Sequence, residues 1–254
     1  MTMVQPLPEI LETLRAHGLR RGVSPGPMAP RGALSTGHPT LDEALRTDGW
    51  PRGALVHLDA PVGAGATTLA LGSLAAAQAA GGVVAYLDPT GSLDPATASR
   101  MGVNLEWLLV VRPADAGEAV ELAAWLARDG RIDAMVLDLA ATAAPRELDR
   151  LARLLVRSGG VTLLLTGAAG REAAGVRVRL RRRAWLSVGR DLIGQRVEAS
   201  VDRHRWALAG GRAEIDLFFV EGRRTDSLLR AAATPTVAEE EPADERPALQ
   251  VVGA

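Results

Sequence analysis

The stretch APVGAGATTLAL, Ala60 to Leu71, contains the residue types of a loop that binds phosphate. Such loops follow the pattern G-x-x-x-x-G-K-[ST] between a strand and a helix. Their backbone N–H groups surround the phosphates, their Lys contacts the phosphate oxygens, and their hydroxyl holds Mg²⁺. Here Gly65 and Thr67 match the pattern, but Ala60 replaces the first Gly and Ala66 replaces the Lys. Since a helix N-terminus attracts anions, we expect weak phosphate binding at most.

The missing Lys predicts that this chain does not hydrolyse ATP. Phosphoryl transfer depends almost entirely on positioned charges. The loss of one such group typically costs about 3 kcal/mol or more of transition-state stabilisation. All 29 basic residues are Arg, so no residue of the chain supplies a compact ammonium group. As an alternative, the stretch is a tight strand–helix turn that Thr67 caps. The residues that would contact phosphate are Gly63, Gly65, Ala66, Thr67 and Thr68.

The periodicity of the sequence predicts an α/β fold. Between residues 54 and 167, five short apolar runs alternate with helical patterns, which is typical of a mostly parallel sheet with helices on both faces. After residue 175 apolar and polar residues alternate strictly, with Gly residues between the runs. This second pattern predicts antiparallel strands that extend the sheet.

Three regions follow from composition. Residues 1–33 are predicted to form a helix and a Pro/Gly-rich connector, residues 34–230 the core domain, and residues 231–254 a disordered acidic tail. The chain has no Cys, and its four His have no metal-ligand spacing, so we expect no bound metal. No apolar run approaches the roughly 20 residues of a membrane span, and the first residues do not show the basic-then-apolar pattern of a signal segment. We therefore expect a cytoplasmic protein.

A basic segment covers residues 171–205, with ten Arg against four acidic residues. Four of these Arg alternate with apolar residues, which predicts one strand face with side chains about 6.7 Å apart. Guanidinium groups bind phosphates or carboxylates in a bidentate manner, so this Arg stripe suits a nucleic acid or an acidic partner. As an alternative, charge protects an exposed strand from aggregation. Trp185 is predicted on the same face, where it stacks on a base or anchors a partner. The Arg stripe consists of Arg177, Arg179, Arg181 and Arg183.

From Leu34 the chain resembles the ATPase core of the RecA recombinases. Four blocks carry the resemblance in order: LSTGHPTLDEALRTDGWPRGALVHLDAPVGAGATTLAL, AYLDPTGSLDPATASRMGVNLEWLLVVRP, RIDAMVLDLAA and GQRVEASVDRHRWALAGGRAEIDLFFVEG. They cover roughly residues 34–222. The resemblance implies a RecA-like P-loop core, in which antiparallel strands at the C-terminal end extend a mostly parallel sheet.

The chain departs from the RecA pattern at functional positions. The resemblance places the P-loop Lys at Ala66, the catalytic Glu at Thr90 and the metal-coordinating carboxylate at Asp138. Asp138 is interpreted either as a strand-end residue or as a vestigial ligand. The segment after Asp138 is too short for the first DNA-binding loop of the RecA pattern. The second DNA-binding loop of that pattern is shortened. These departures imply a pseudo-ATPase without a required cofactor.

Within the RecA-like proteins, the small size and the degenerate motifs resemble the ImuA type, an accessory protein of SOS-induced translesion synthesis. This resemblance implies a non-catalytic scaffold that binds an ImuB-type polymerase relative, RecA and an error-prone polymerase complex, with a weak DNA contact through the Arg stripe. The N-terminal helix would dock on one of these proteins or on a second copy, or fold back onto its own core. Two other hypotheses remain: a divergent RecA-family protein of repair or recombination that binds DNA or nucleotide, and an SOS cell-division inhibitor. The apolar face of the N-terminal helix consists of Leu7, Ile10, Leu11 and Leu14.

Overall fold

The computed structural model describes residues 32–139, 144–165, 172–188 and 190–219, and the backbone of residues 236–239. The predictions for the N-terminal helix, and so for Leu7, Ile10, Leu11 and Leu14, lie outside the described residues. Most of the predicted tail also lies outside them.

Nine strands of the described residues form one sheet, and two short strands form a separate pair. Along the sheet the strands follow the order β10-β9-β8-β3-β7-β6-β4-β5, and β11 pairs with β8. Pairing is parallel from β8 through β3 to β5 and antiparallel among β8, β9 and β10. This arrangement confirms the predicted fold class. The strands are β1 Ala33–Leu34, β2 Trp50–Pro51, β3 Leu55–Asp59, β4 Val84–Leu87, β5 Leu108–Val111, β6 Ala134–Asp138, β7 Val161–Leu165, β8 Val176–Val188, β9 Asp191–His204, β10 Arg212–Phe218 and β11 Thr236–Glu239.

Helices cover both faces of the sheet, and each face has its own apolar layer. One layer joins the sheet to α2 and the other joins it to α4 and α5. Side chains of both layers come from the same strands, which explains why β4 and β7 read as continuous apolar runs. The helices are α1 Pro39–Leu45, α2 Ala66–Ala79, α3 Pro95–Arg100, α4 Ala116–Asp129 and α5 Pro145–Ser158, with a 3₁₀ turn at Leu105–Trp107.

A buried polar network anchors α2 to the segment that precedes it. Trp50 Nε1 donates a hydrogen bond of 2.9 Å to Ser73 Oγ. The Ser73 hydroxyl in turn lies 3.0 Å from the carbonyl oxygen of Thr36 and 2.9 Å from that of Leu69. Trp50, Thr36 and Ser73 are fully buried, so these bonds satisfy polar groups that water does not reach. The network fixes the position of α2, whose first turn faces the candidate site.

Strand β8 contains an irregularity that reverses part of the sequence prediction. Arg182 pairs with Val197, whereas Ala184 pairs with Arg196, so Arg183 is an extra residue in the strand. One extra residue inverts the alternation of faces beyond it. Trp185 therefore pairs with Gln195 on the face opposite the Arg stripe. The prediction that Trp185 shares a face with Arg177, Arg179, Arg181 and Arg183 was wrong.

The second half of β8 has a further partner. Strand β3 pairs with β8 only through the register Asp59–Arg179, which leaves one edge of residues 184–187 available. Strand β11 pairs with this edge in antiparallel register. At residues 236–239 the backbone is therefore a strand, where the composition predicts a disordered tail.

Candidate phosphate-binding site

The loop between β3 and α2 has the backbone geometry of a tight strand-to-helix turn. Gly65 immediately precedes α2 and has a φ of 90°, a conformation that favours Gly. A Cβ atom at Gly65 would collide with the side chain of Leu217 and would lie 2.8 Å from Gln195 Nε2. Gly65 is therefore required by conformation and by close packing against β9 and β10. The packing also brings these two strands against the loop.

A cavity of about 820 Å³ opens in front of this loop. Its volume lies in the range of small-molecule sites. The loop and the first turn of α2 form one wall, Asp138 lies at the end of β6, and Trp185, Gln195 and Phe219 form the opposite wall. The structure thus brings together all the predicted loop residues and adds side chains from the antiparallel strands. The predicted residues on the cavity are Gly63, Gly65, Ala66, Thr67, Thr68 and Asp138.

Arg182 brings a cation close to the loop that lacks its Lys. Its guanidinium carbon lies 4.2 Å from the centroid of the Trp185 ring, in cation–π contact. Its Nη1 atom lies 3.8 Å from the position that a Cβ atom would take at Gly63. The sequence pattern did not identify Arg182 as a candidate site residue. A single charged residue in an otherwise apolar alternation was the signal that could have identified it.

Gln195 provides a buried polar group on the same cavity. The residue is 2% exposed, and its Oε1 atom has no hydrogen-bond partner among the described residues. A buried acceptor without a donor costs about 1–3 kcal/mol.

Asp138 accepts two hydrogen bonds from neighbouring side chains. Tyr86 Oη donates to Oδ2 over 2.8 Å, and Ser92 Oγ lies 3.2 Å from the same atom. Burial raises the pKa of Tyr86, and the nearby Asp138 carboxylate raises it further, so the phenol keeps the proton that it donates. These donors compete with metal coordination at Oδ2, which disfavours direct Mg²⁺ binding through this oxygen. Among the described residues, no group of three or more His, Asp or Glu side chains is placed to hold a metal ion.

The loop after β4 is organised by Asp88. Its carboxylate accepts hydrogen bonds from the backbone N–H groups of Ser92 and Leu93 and from the Thr90 hydroxyl. Burial opposes the ionised form of Asp88, but these hydrogen bonds outweigh it and hold the pKa below its ordinary value. Thr90, at the position that the RecA resemblance assigns to the catalytic Glu, therefore stabilises the loop and brings no carboxylate to the cavity.

Comparison with known proteins identifies the family. A profile of the RecA N-terminal domain matches residues 28–150. The Protein RecA of Acidothermus cellulolyticus is 30% identical to the chain, and the match covers 84% of this chain and 74% of that protein. The chain belongs to the RecA family. The Protein RecA of Clavibacter michiganensis subsp. michiganensis is 32% identical over 76% of this chain and 64% of its own length. That of Corynebacterium efficiens is 30% identical over 78% of this chain and 61% of its own length.

The chain spans less than two thirds of the length of these last two relatives. The RecA resemblance predicted from the four sequence blocks is confirmed at the level of the family. None of the helices in the described ranges of this RecA-family chain has the length and apolar character needed to cross a bilayer.

Acidic side chains on neighbouring strands pair with part of the Arg stripe. Arg179 forms an ion pair of 2.5 Å with Asp202 and lies 3.6 Å from Asp59. Arg183 donates a hydrogen bond of 2.5 Å to Glu198. The stripe lies on the sheet face opposite the loop cavity, so the two features form separate surfaces of this RecA-family protein. Binding of nucleic acid or of a partner by the stripe stays a prediction.

Proposed function

We propose that this RecA-family chain acts in DNA repair or recombination and binds the phosphates of a nucleotide at its loop cavity without hydrolysing them. Arg182 carries this proposal, because it places a cation beside a phosphate-type loop whose own Lys is absent. The position of Arg182 therefore supports the nucleotide-binding hypothesis in a way that the sequence pattern did not.

Three properties of the cavity support binding. The N-terminus of α2 presents free backbone N–H groups and the positive end of the helix dipole. Arg182 adds a guanidinium group, which binds phosphate oxygens in a bidentate manner. The half-buried ring of Trp185 lines the same cavity and offers a surface on which a base stacks.

Two further properties support the absence of hydrolysis. Ala66 begins α2 and has no charge to stabilise a transferring phosphoryl group. Thr90 donates its hydroxyl hydrogen bond to Asp88 and has no carboxylate to activate water. We propose on these grounds that the chain is a pseudo-ATPase.

Calorimetric titration of ATP into the purified chain, with a parallel assay of phosphate release, tests the proposal. Substitution R182Q should weaken ATP binding about tenfold, since a charge-assisted hydrogen bond contributes roughly 1.5–3 kcal/mol. R181Q is the matched control, because Arg181 is the preceding residue, carries the same charge and points to the opposite face. Equal effects of the two substitutions, or no ATP binding by the unaltered chain, would contradict nucleotide binding. Phosphate release that Asp138 substitution abolishes would contradict the pseudo-ATPase assignment.

We also propose a finer role of the ImuA type, as an accessory scaffold of SOS-induced translesion synthesis. This role rests on the sequence departures at Ala66 and Thr90 and on the absence of room for the first DNA-binding loop. Its expected partners are an ImuB-type polymerase relative, RecA and an error-prone polymerase complex. Binding assays with each purified partner, using the full chain and a chain truncated after Arg230, test the role. Absence of binding to all three would exclude it while leaving the nucleotide proposal intact.

A further inference from the structure

Strand β11 occupies the edge of β8 that lies beside the loop cavity. Strand β9 pairs along one edge of β8, and the other edge is shared by β3 and β11. Strand β3 pairs with residues 176–179, and its last residue, Asp59, is followed by the phosphate-type loop. Strand β11 pairs with residues 184–187, farther along the same edge. The loop therefore begins at the part of this edge that separates β3 from β11.

The ladder between β8 and β9 is irregular on both sides of Trp185. Its register shifts immediately before Ala184 and again immediately after Leu186. Three consecutive pairs, at residues 184–186, separate the two shifts. One of these pairs joins Leu186 to Gly194, and a glycine inside a strand weakens it. Pairing with β9 therefore specifies the register of this segment only weakly.

The ladder between β8 and β11 runs without interruption through the same segment. Residues 184–187 pair with residues 236–239 in regular antiparallel register. These pairs continue across the second shift of the β9 ladder. A slip of one residue would turn Trp185 to the other face of the sheet. Strand β11 therefore stabilises a register that β9 specifies only weakly.

The segment that β11 holds provides one wall of the loop cavity. Trp185 lines the cavity. Its ring lies 4.2 Å from the guanidinium carbon of Arg182 and meets the Phe219 ring edge-on, with 6.3 Å between the ring centroids. Arg182 is the cation that lies beside Gly63 of the loop. Displacement of Trp185 would therefore remove an aromatic surface and also the ring that Arg182 contacts.

Given the nucleotide binding proposed above, on which this inference rests, we propose that β11 positions the Trp185 wall and that ATP binding and the β8–β11 pairing stabilise one another. Coupling between two equilibria is reciprocal, so a nucleotide that binds the positioned wall favours the paired state of β11. Residues 236–239 thereby take part in ligand recognition, although composition predicts a disordered tail there. Release of β11 from the sheet lowers the affinity of the cavity for ATP.

A pair of proline substitutions in the full chain, V237P/A238P, tests this inference. Consecutive strand residues direct their backbone N–H groups to opposite sides, so one of the two prolines removes a donor that faces β8. V237T/A238S is the matched control, because it changes the same two residues and keeps both N–H groups. Calorimetric titration measures the ATP affinity, and hydrogen exchange at residues 184–187 and 236–239 measures the pairing. Urea denaturation verifies that each variant is folded.

V237P/A238P should weaken ATP binding about fivefold or more, in the range of ordinary coupling between sites. It should also speed hydrogen exchange at residues 184–187, because their edge loses its partner strand. V237T/A238S should leave both quantities close to those of the unaltered chain. In the unaltered chain, ATP should slow exchange at residues 236–239, an effect that a merely structural strand would not show.

Each other outcome has a distinct meaning. Equal ATP affinity of the unaltered chain and V237P/A238P would overturn the inference and leave nucleotide binding intact. Equal weakening by the two double variants, or exchange at residues 236–239 that ATP does not change, would also overturn the coupling alone. Absence of ATP binding by the unaltered chain and by both variants would overturn the function proposed for the loop cavity and this inference with it.

Discussion

Thr90 Oγ1 donates a hydrogen bond to Asp88 Oδ1 over 3.1 Å, in the loop that leaves strand β4. In the RecA resemblance, position 90 belongs to the residue that activates water. In this chain Thr90 closes a turn around the Asp88 carboxylate, which also accepts hydrogen bonds from two backbone N–H groups. Thr90 therefore helps to stabilise the turn that Asp88 organises.

We predict that T90E destabilises the protein without producing ATP hydrolysis. The substitution removes the hydrogen bond to Asp88 and places a second negative charge beside it, which should lower the free energy of unfolding by about 1 kcal/mol or more. Urea denaturation measures the first effect and phosphate release the second. T90S is the matched control, because it keeps the hydroxyl and should retain most of the stability. Steady phosphate release by T90E alone would contradict the prediction.

We predict that A66K strengthens ATP binding and makes R182Q less damaging. The new ammonium group lies at the first residue of α2, where it contacts the same phosphates that Arg182 is proposed to contact. Two cations that act on one ligand are not additive, so a double-mutant cycle should show a clear coupling energy. ATP titration of the four combinations measures it. Strict additivity would show that Arg182 does not act on the phosphates.

We predict that S73A lowers the free energy of unfolding by about 1–3 kcal/mol. The substitution leaves Trp50 Nε1 buried without an acceptor. S99A is the control, because Ser99 is exposed in helix α3 and should have an effect within about 0.5 kcal/mol. Urea denaturation compares the two. Equal stabilities would contradict the role assigned to the buried network.

We predict that acidification destabilises the protein through His204. Its Nδ1 atom accepts hydrogen bonds from the backbone N–H groups of Trp206 and Ala207, so this nitrogen carries no proton. Burial lowers the pKa of His204 in the folded chain. Below about pH 6.5 the unfolded chain binds a proton that the folded chain does not, so stability is full above this pH and falls towards the lower folded-state pKa.

Urea denaturation between about pH 7.5 and pH 5 measures this loss. H204N should be less stable than the unaltered chain at the higher pH and should lose less stability on acidification. The remaining loss comes in part from His38, whose pKa burial also lowers despite the opposing charges of Asp42 and Asp216. An unchanged pH dependence in H204N would contradict the assignment.

Much of the fold was predictable because its central strands obey simple periodic rules. The apolar runs at residues 84–87 and 161–165 are buried on both faces, and each is followed or preceded by a helix with one apolar side. The phosphate-type loop and Asp138 were predictable for a related reason. In a parallel sheet the C-terminal ends of the strands meet at one edge, so residues that follow β3 and β6 come together there.

The contribution of β8 to the site was not predictable from alternation. Residues 176 to 188 read as one two-residue pattern with Arg182 as its exception, and the pattern does not reveal that the register shifts at Arg182–Ala184. A shift of this kind depends on how the partner strand is paired, which the local sequence does not encode. For that reason Trp185 was predicted on the wrong face, and Arg182 was not recognised beside the loop.

The extra residue at Arg183 gives the gene an unusual sensitivity to length at this point. Removal of one codon from the run for Arg181, Arg182 and Arg183 would remove this register shift and turn every later side chain of β8 to the other surface. The encoded composition would hardly change, while the aromatic wall of one cavity would be exchanged for Ala184 and Leu186. Homologues that differ by a single codon here are therefore expected to differ in which surface of the sheet recognises ligands.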